Sequence, residues 1–376
     1  MDTESNPAKT ARDHACASPE AAGAMRYDAL AAIVREKRTA TRKKSSRREQ
    51  HATPRRVVGI TLWYAFNVGY NVYNKKLSNA LDYPMLIALT SLGVGILYFA
   101  PLWALGLRKA PKLTPEDIKA CTVLSMLHTV GHVGAVVAMS AGAVSFTHII
   151  KALEPMFSVI FGILINGTSD PLKVNIWLIP IILGVGWSAV GSKIMAGQDI
   201  LADINMTAFG GAMTSNVAFA LRGLLSKKVK AESKSENLTS SNLYSILTLI
   251  SFFLFLPFAL VLEGNKLSAA WPPVENLEEI PEKILGLPVF SSTSLNYGYE
   301  LVIYTGFFYY MYNEMAYLVL GEVTATAQAV ANTVKRVVIL LATVAFLGES
   351  MDVHKACGAA VAIGATMMYS IAKTKK

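Results

Sequence analysis

Apolar residues along this chain fall into blocks of about twenty, the length that crosses a bilayer as a helix. Ten such blocks are read, at about 57–77, 82–106, 118–140, 143–166, 172–194, 205–226, 241–263, 297–319, 323–347 and 353–372. The breaks between them carry their own signals. Asp82-Tyr83-Pro84 opens the second block and Pro115-Glu116-Asp117 opens the third, while Ser169-Asp170-Pro171 separates the fourth from the fifth. The longest polar insert, roughly 264–296, holds Pro272, Pro273, Pro281 and Pro288, and is expected to be a loop with an amphipathic piece. Several blocks contain Gly, Asn, Ser or Tyr, as expected of helices that line a polar path rather than act as simple anchors. The pattern predicts an all-α polytopic membrane protein with ten transmembrane helices.

The blocks also repeat. Ala141-Gly142-Ala143-Val144-Ser145 and Leu320-Gly321-Glu322-Val323-Thr324 each join two blocks with almost no loop, 179 residues apart. At nearly the same offset, Asn166-Gly167-Thr168-Ser169-Asp170 falls near Leu347-Gly348-Glu349-Ser350-Met351. Five spans followed by five make an odd repeat, so the halves, about 57–194 and 205–373, are expected to be inverted with respect to one another. An even span count places both termini on one side. That side would also collect Arg108, Lys109 and Lys112, the Lys227, Lys228, Lys230 and Lys234 cluster, and Lys373, Lys375 and Lys376. The positive-inside bias makes it the cis face, cytosol or stroma.

Composition agrees with a membrane protein. The chain is 53% hydrophobic and 16% charged, against about a quarter charged in a soluble domain. The net charge of +9 resembles a nucleic-acid signal, but 13 of the 35 Lys and Arg lie in residues 1–56. A basic arm ahead of a first span more often sets topology or targeting, so no nucleic-acid partner is expected. The arm is read as either a disordered tail or a transit peptide, although Asp2, Glu4, Asp13, Glu20, Asp28, Glu36 and Glu49 are unusual for the latter. Cys16, Cys121 and Cys357 are odd in number and form no CxxC, so neither a disulfide framework nor a metal site is expected, and no cofactor is implied.

Charge inside the apolar blocks changes the picture most. Lys335 and Arg336 stand side by side in the middle of 323–347, roughly 17 Å from either end at 1.5 Å per residue. Central placement costs about 2.5–3.5 kcal/mol for each such side chain. Lys151 lies inside another block, in the corresponding member of the first half. Three buried cations suit an anion held near the midplane. The competing reading pairs them with internal carboxylates such as Glu154 or Glu314.

Five stretches then resemble one family: LWYAFNVGYNVYNKKL (62–77), SFTHIIKALEPMFSV (145–159), SNVAFALRGLLSKK (215–228), YMYNE (310–314) and NTVKRVV (332–338). The chain from 57 to 373 is similar to the plastid phosphate translocators, a branch of the drug/metabolite transporter superfamily. The resemblance implies a ten-helix five-plus-five inverted-repeat fold. It also implies strict one-to-one exchange of inorganic phosphate for phosphorylated C3, and by extension C5 or C6, compounds by alternating access. The place implied is the plastid (chloroplast) envelope membrane, with a lipid bilayer around the protein and a monomer or homodimer as the unit. By the same resemblance Lys151, Lys335 and Arg336 correspond to phosphate-binding cations, and His132 and Tyr312 to residues on the organic part of the substrate. Arg222 corresponds to the arginine of the sixth-span motif.

Two positions depart from the family pattern. Ala135 stands where a small hydroxyl residue is common, and Glu314 stands where the pattern has Gln. A histidine at 132 rather than asparagine favours triose- or hexose-phosphate over phosphoenolpyruvate, which stays as an alternative. A nucleotide-sugar antiporter of the Golgi or endoplasmic reticulum shares the implied fold. A membrane-embedded enzyme is disfavoured, since the chain has no HExxH, no GxSxG and no acidic cluster within a span.

Overall fold

The computed structural model describes residues 57–167, 170–199, 204–265, 283–284, 287–288, 294–322 and 325–374. The basic arm, most of the 264–296 insert and the Val323-Thr324 end of the second repeat signature lie outside the described residues. Helix α1 covers 57–80 and is followed by α2 (Pro84–Ala104), α3 (Pro115–Ala141) and α4 (Val144–Ile150). A 3-10 turn, Lys151–Leu153, leads into α5 (Glu154–Asn166), then α6 (Leu172–Asn175) and α7 (Leu178–Met195). The chain continues with α8 (Met206–Glu232), α9 (Ser240–Glu263), α10 (Ser294–Glu322), α11 (Ala325–Leu347) and α12 (Val353–Thr374). Between α9 and α10 the described part of the insert is a short antiparallel ribbon, β1 (Lys283–Ile284) with β2 (Leu287–Pro288).

The expectation of ten transmembrane helices in a five-plus-five arrangement is not supported. Among the described residues, seven helical segments are long and apolar enough to cross a membrane. They are Pro84–Ala104, Pro115–Ala141, Val144–Ile165, Leu172–Met195, Ser240–Glu263, Val330–Leu347 and Val353–Thr374. The expected spans at 57–77, 205–226 and 297–319 are helical but are not among the seven. Their polar content is the reason. Asn67, Asn71 and Asn74 in α1, Ser215 and Asn216 in α8, and Thr305, Asn313 and Glu314 in α10 are all buried. The argument from an even span count to termini on one face loses its premise.

What stands is an all-α membrane protein turned inside out relative to a soluble one. Its outer faces are apolar: Leu97 is 75% exposed, Val261 84% and Leu341 66%. Its buried asparagines point inward: Asn216 donates to the Ile150 carbonyl of α4, while Asn71 and Asn313 donate within their own helices. Close helix approach is made by glycine. At the α3–α8 crossing a Cβ on Gly134 would lie 2.8 Å from the Gly211 carbonyl oxygen, and one on Gly211 would lie 2.7 Å from the Gly134 oxygen. At the α7–α12 crossing a Cβ on Gly184 would sit 2.6 Å from the Ala362 nitrogen.

Helix ends are met by charge of the sign their dipoles prefer. Lys75 Nζ donates to the Met139 and Gly142 carbonyls at the C-terminus of α3, both at 2.9 Å. Glu349 accepts the Val144 and Ser145 amides at the N-terminus of α4, at 2.7 and 2.9 Å. Glu263 accepts the Leu86 amide in the first turn of α2 at 2.9 Å. These three side chains come from far away in sequence, so they fix how helices stand against one another as well as capping them.

The α3–α8 crossing leaves no room for a methyl group, and overpacking a close contact costs about 1–3 kcal/mol. Gly211→Ala is expected to lower the melting temperature of the purified protein in detergent by several degrees. Gly210→Ala meets nothing within 4 Å and should leave it unchanged. Equal melting temperatures for the two variants would show that the crossing is slack.

Candidate functional site

The site begins at a break that the sequence dictates. Pro155 has no amide hydrogen, so the Lys151 carbonyl cannot receive the usual bond from four residues on. The turn tightens instead, and the Glu154 amide donates to the Lys151 carbonyl. Lys151–Leu153 is therefore a 3-10 turn, and α5 starts afresh at Glu154 with proline in its first turn. The break places Lys151 midway between His148 and Glu154, which lie about two turns apart, inside the apolar segment Val144–Ile165.

Arg336 docks on this break from α11. Its Nη2 donates to Glu154 Oε2 at 3.2 Å and its Nη1 to the His148 carbonyl at 3.5 Å, and its side chain is 12% exposed. Lys335, the next residue on the helix, goes elsewhere: its Nζ lies over the Trp63 ring of α1, 4.9 Å from the centroid. Adjacent residues on a helix are about 100° apart, so two neighbouring cations address two different walls. His148 Nε2 donates to Asn71 Oδ1 at 2.8 Å, because the Asn71 amide is already used as a donor to Asn67. That bond ties α4 to α1.

The opposite wall is α8. Lys151 Nζ donates to Ser215 Oγ at 2.6 Å and lies 4.7 Å from the centroid of the Phe219 ring. The Arg222 guanidinium stands 4.5 Å from the centroid of the same ring. Ser215, Phe219 and Arg222 follow a four-then-three spacing, which places them on one helix face. Gly131 on α3 admits the Phe219 ring, because a Cβ there would overlap it. Arg222 Nη1 bonds His128 Nδ1, and His128 Nε2 bonds the Tyr309 hydroxyl at 3.1 Å.

The residues expected on the organic part of the substrate lie one step further along this network. His132, one turn after His128, is buried, places its ring 4.0 Å from that of Tyr309, and bonds the Ala88 carbonyl through Nε2 at 3.1 Å. Tyr312 packs tilted against Tyr70 and edge-on against Tyr309, at centroid separations of 5.2 and 5.7 Å. Tyr70 is itself buried, and its hydroxyl has no hydrogen-bond partner among the described residues. Ala135 packs against the apolar cluster built around Tyr70, Leu86 and Tyr309. Glu314 does not join the cations: it is buried in an ion pair with Arg108, at 2.5 Å.

Lys151, Arg222 and Arg336 are thus linked through Glu154, Phe219 and the α4–α5 break, with Lys335 beside them on Trp63. Among the described residues, Glu154 is the one carboxylate in direct contact with the set. Sequence reasoning missed Ser215, Phe219, His128, Tyr309 and Trp63. Their signals were positional: His128 precedes His132 by four residues, and Ser215 and Phe219 precede Arg222 by seven and three.

Known proteins resemble this chain. The family model described as the Triose-phosphate Transporter family matches residues 56–370. The glucose-6-phosphate/phosphate translocator 2 of Arabidopsis thaliana chloroplasts is 35% identical over 83% of this chain and 73% of that protein. The chloroplastic xylulose 5-phosphate/phosphate translocator of the same plant is 35% identical over 84% of this chain and 69% of that protein. The chloroplastic triose phosphate/phosphate translocator of Spinacia oleracea is 31% identical over 84% and 71%. A match that runs from α1 almost to the end of α12, and includes both the α4–α5 break and the α11 cations, places this chain in the triose-phosphate transporter family.

Proposed function

We propose that the protein is an antiporter of the plastid envelope that exchanges inorganic phosphate for phosphorylated sugars of three to six carbons. Membership of the family and the names of its chloroplastic relatives support the exchange and the membrane. The observation that carries the reading in this chain is the cation set at the α4–α5 break. Four cations, Lys151, Arg222, Lys335 and Arg336, stand together, and among the described residues one carboxylate, Glu154, is in contact with them. That excess is unfavourable unless a bound anion completes it.

The roles follow from side-chain chemistry. Arg336 offers a planar fork for two phosphate oxygens, and Lys151 and Lys335 offer compact point charges. His132 and Tyr312 take the organic part, His132 through the ring nitrogen not bonded to Ala88. Ala135 adds no hydroxyl to that region, so substrate selection there rests on the tyrosines. Phosphate is named in all three relatives and so is the shared cargo, while the partner sugar differs among them.

In proteoliposomes, replacing Lys151, Lys335 or Arg336 by Ala is expected to abolish phosphate exchange while the protein still inserts and purifies as a folded species. Near-normal exchange by Arg336→Ala would remove the central claim.

The same charges make exchange obligatory. A loaded site cancels about two positive charges on occlusion, and an empty one does not. A difference of about 4 kcal/mol in that barrier slows empty return roughly a thousandfold. Labelled phosphate should enter liposomes preloaded with phosphate or a phosphorylated sugar, and should scarcely enter empty ones. Comparable initial rates in both would mean uniport.

A further inference from the structure

His128 has no place in the reading above, yet it touches both halves of the site. It is buried at 1% exposure, between Arg222 on one ring nitrogen and Tyr309 on the other. Phe219, Tyr244 and Tyr309 pack around its ring, with centroids 6.3, 5.7 and 6.3 Å away. We propose that His128 is a positioning residue: it holds the Arg222 guanidinium against Phe219, beside Lys151, and thereby sets the affinity of the site for phosphorylated substrates.

The donor inventory fixes the direction of the chain. A guanidinium only donates, so His128 Nδ1 must accept. A neutral imidazole that accepts at Nδ1 carries its hydrogen on Nε2, and that hydrogen goes to the Tyr309 oxygen. Tyr309 accepts and so stabilises the tautomer that Arg222 needs. Arg222 is a long side chain with several rotatable bonds, and a buried fork would otherwise sample more than one direction. Two contacts hold it, the hydrogen bond to His128 and the Phe219 ring that it shares with Lys151. Phe219 cannot yield toward α3 without leaving the space that Gly131 provides. Arg222 thus reaches the substrate from a fixed mount, and the mount is His128.

This inference rests on the phosphate-exchange reading, and the test separates the two. The full-length protein is reconstituted with phosphate on both sides and the initial rate of labelled phosphate homo-exchange is measured against external phosphate. No exchange by the unaltered protein would overturn the function and this inference with it. Given exchange, His128→Leu should raise the apparent KM for phosphate about tenfold, the order expected when one charge-assisted hydrogen bond to a binding group is lost. The maximal rate should change much less. His128→Gln keeps an acceptor for Arg222 and a donor for Tyr309, and should recover most of the affinity. In an Arg222→Gln background, His128→Leu should add nothing, because both changes remove the same contact. An unshifted KM in His128→Leu, or losses that multiply in the double variant, would overturn the proposal. Should His128→Leu not fold, Tyr309→Phe decides the matter. Removing the phenol oxygen alone should raise KM in the same direction by a smaller factor, and an unchanged KM would overturn the proposal.

Discussion

A charge taken out of water needs a polar partner, and this chain meets that need at one proline. Without an amide hydrogen at Pro155, the helix from Val144 cannot run on unbroken. The tightened turn that results sets the Glu154 carboxylate and the His148 carbonyl where Arg336 reaches both. Arg336 in turn holds α11 against the break. Removing Glu154 leaves the 12% exposed guanidinium without its charge partner, whereas removing Arg336 leaves a carboxylate that is 37% exposed. The proline, the carboxylate and the arginine therefore act as a unit, and Lys151 is carried on the same turn.

Fixed cations also need fixed walls. The α8 wall is set by the glycine contact between Gly134 and Gly211, which brings two backbones together without intervening side chains. That proximity lets a histidine on α3 reach an arginine on α8. At the ends, Lys75 and Glu349 hold the α3–α4 junction from both sides, one on its carbonyls and one on its amides. The start of α4 is thereby pinned, and the break with it. Each of these contacts joins residues more than sixty positions apart, so the site's geometry is a tertiary property.

How much of this the sequence discloses depends on the kind of signal. Long apolar blocks and midblock cations are visible in one dimension, and they point correctly to an all-helical membrane protein with cations inside. Hydropathy also led to ten spans, and there it failed. Helices α1, α8 and α10 carry enough polar residues, many of them buried, to fall outside the described segments that are long and apolar enough to cross a membrane. Lys335 and Arg336 are neighbours in sequence, but helix geometry sends the two side chains to Trp63 and Glu154. Glu314, two residues from Tyr312 in sequence, belongs to Arg108. His128 was overlooked because its importance lies in what stands across from it on α8 and α10, not in any spacing along α3 except the four residues to His132.

Glu154 gives the charge balance its sense. Had the interior matched its cations acid for acid, the empty site would be neutral and could close on nothing, and cargo would no longer be needed for the return step. Had it held no acid, Arg336 would face an empty site with only a carbonyl at 3.5 Å for company. Among the described residues one carboxylate, Glu154, touches the cations, which lies between these limits. It keeps the guanidinium oriented while the site is open, yet leaves enough positive charge that closing without an anion stays costly. If phosphate binds beside Arg336 as proposed, it competes for the same fork, so loading would weaken the contact of α11 with the α4–α5 break while neutralising the rest of the set. On the antiport reading, cargo therefore does two things through one group: it lowers the cost of occlusion, and it loosens the ion pair that joins the two elements on which the cations stand.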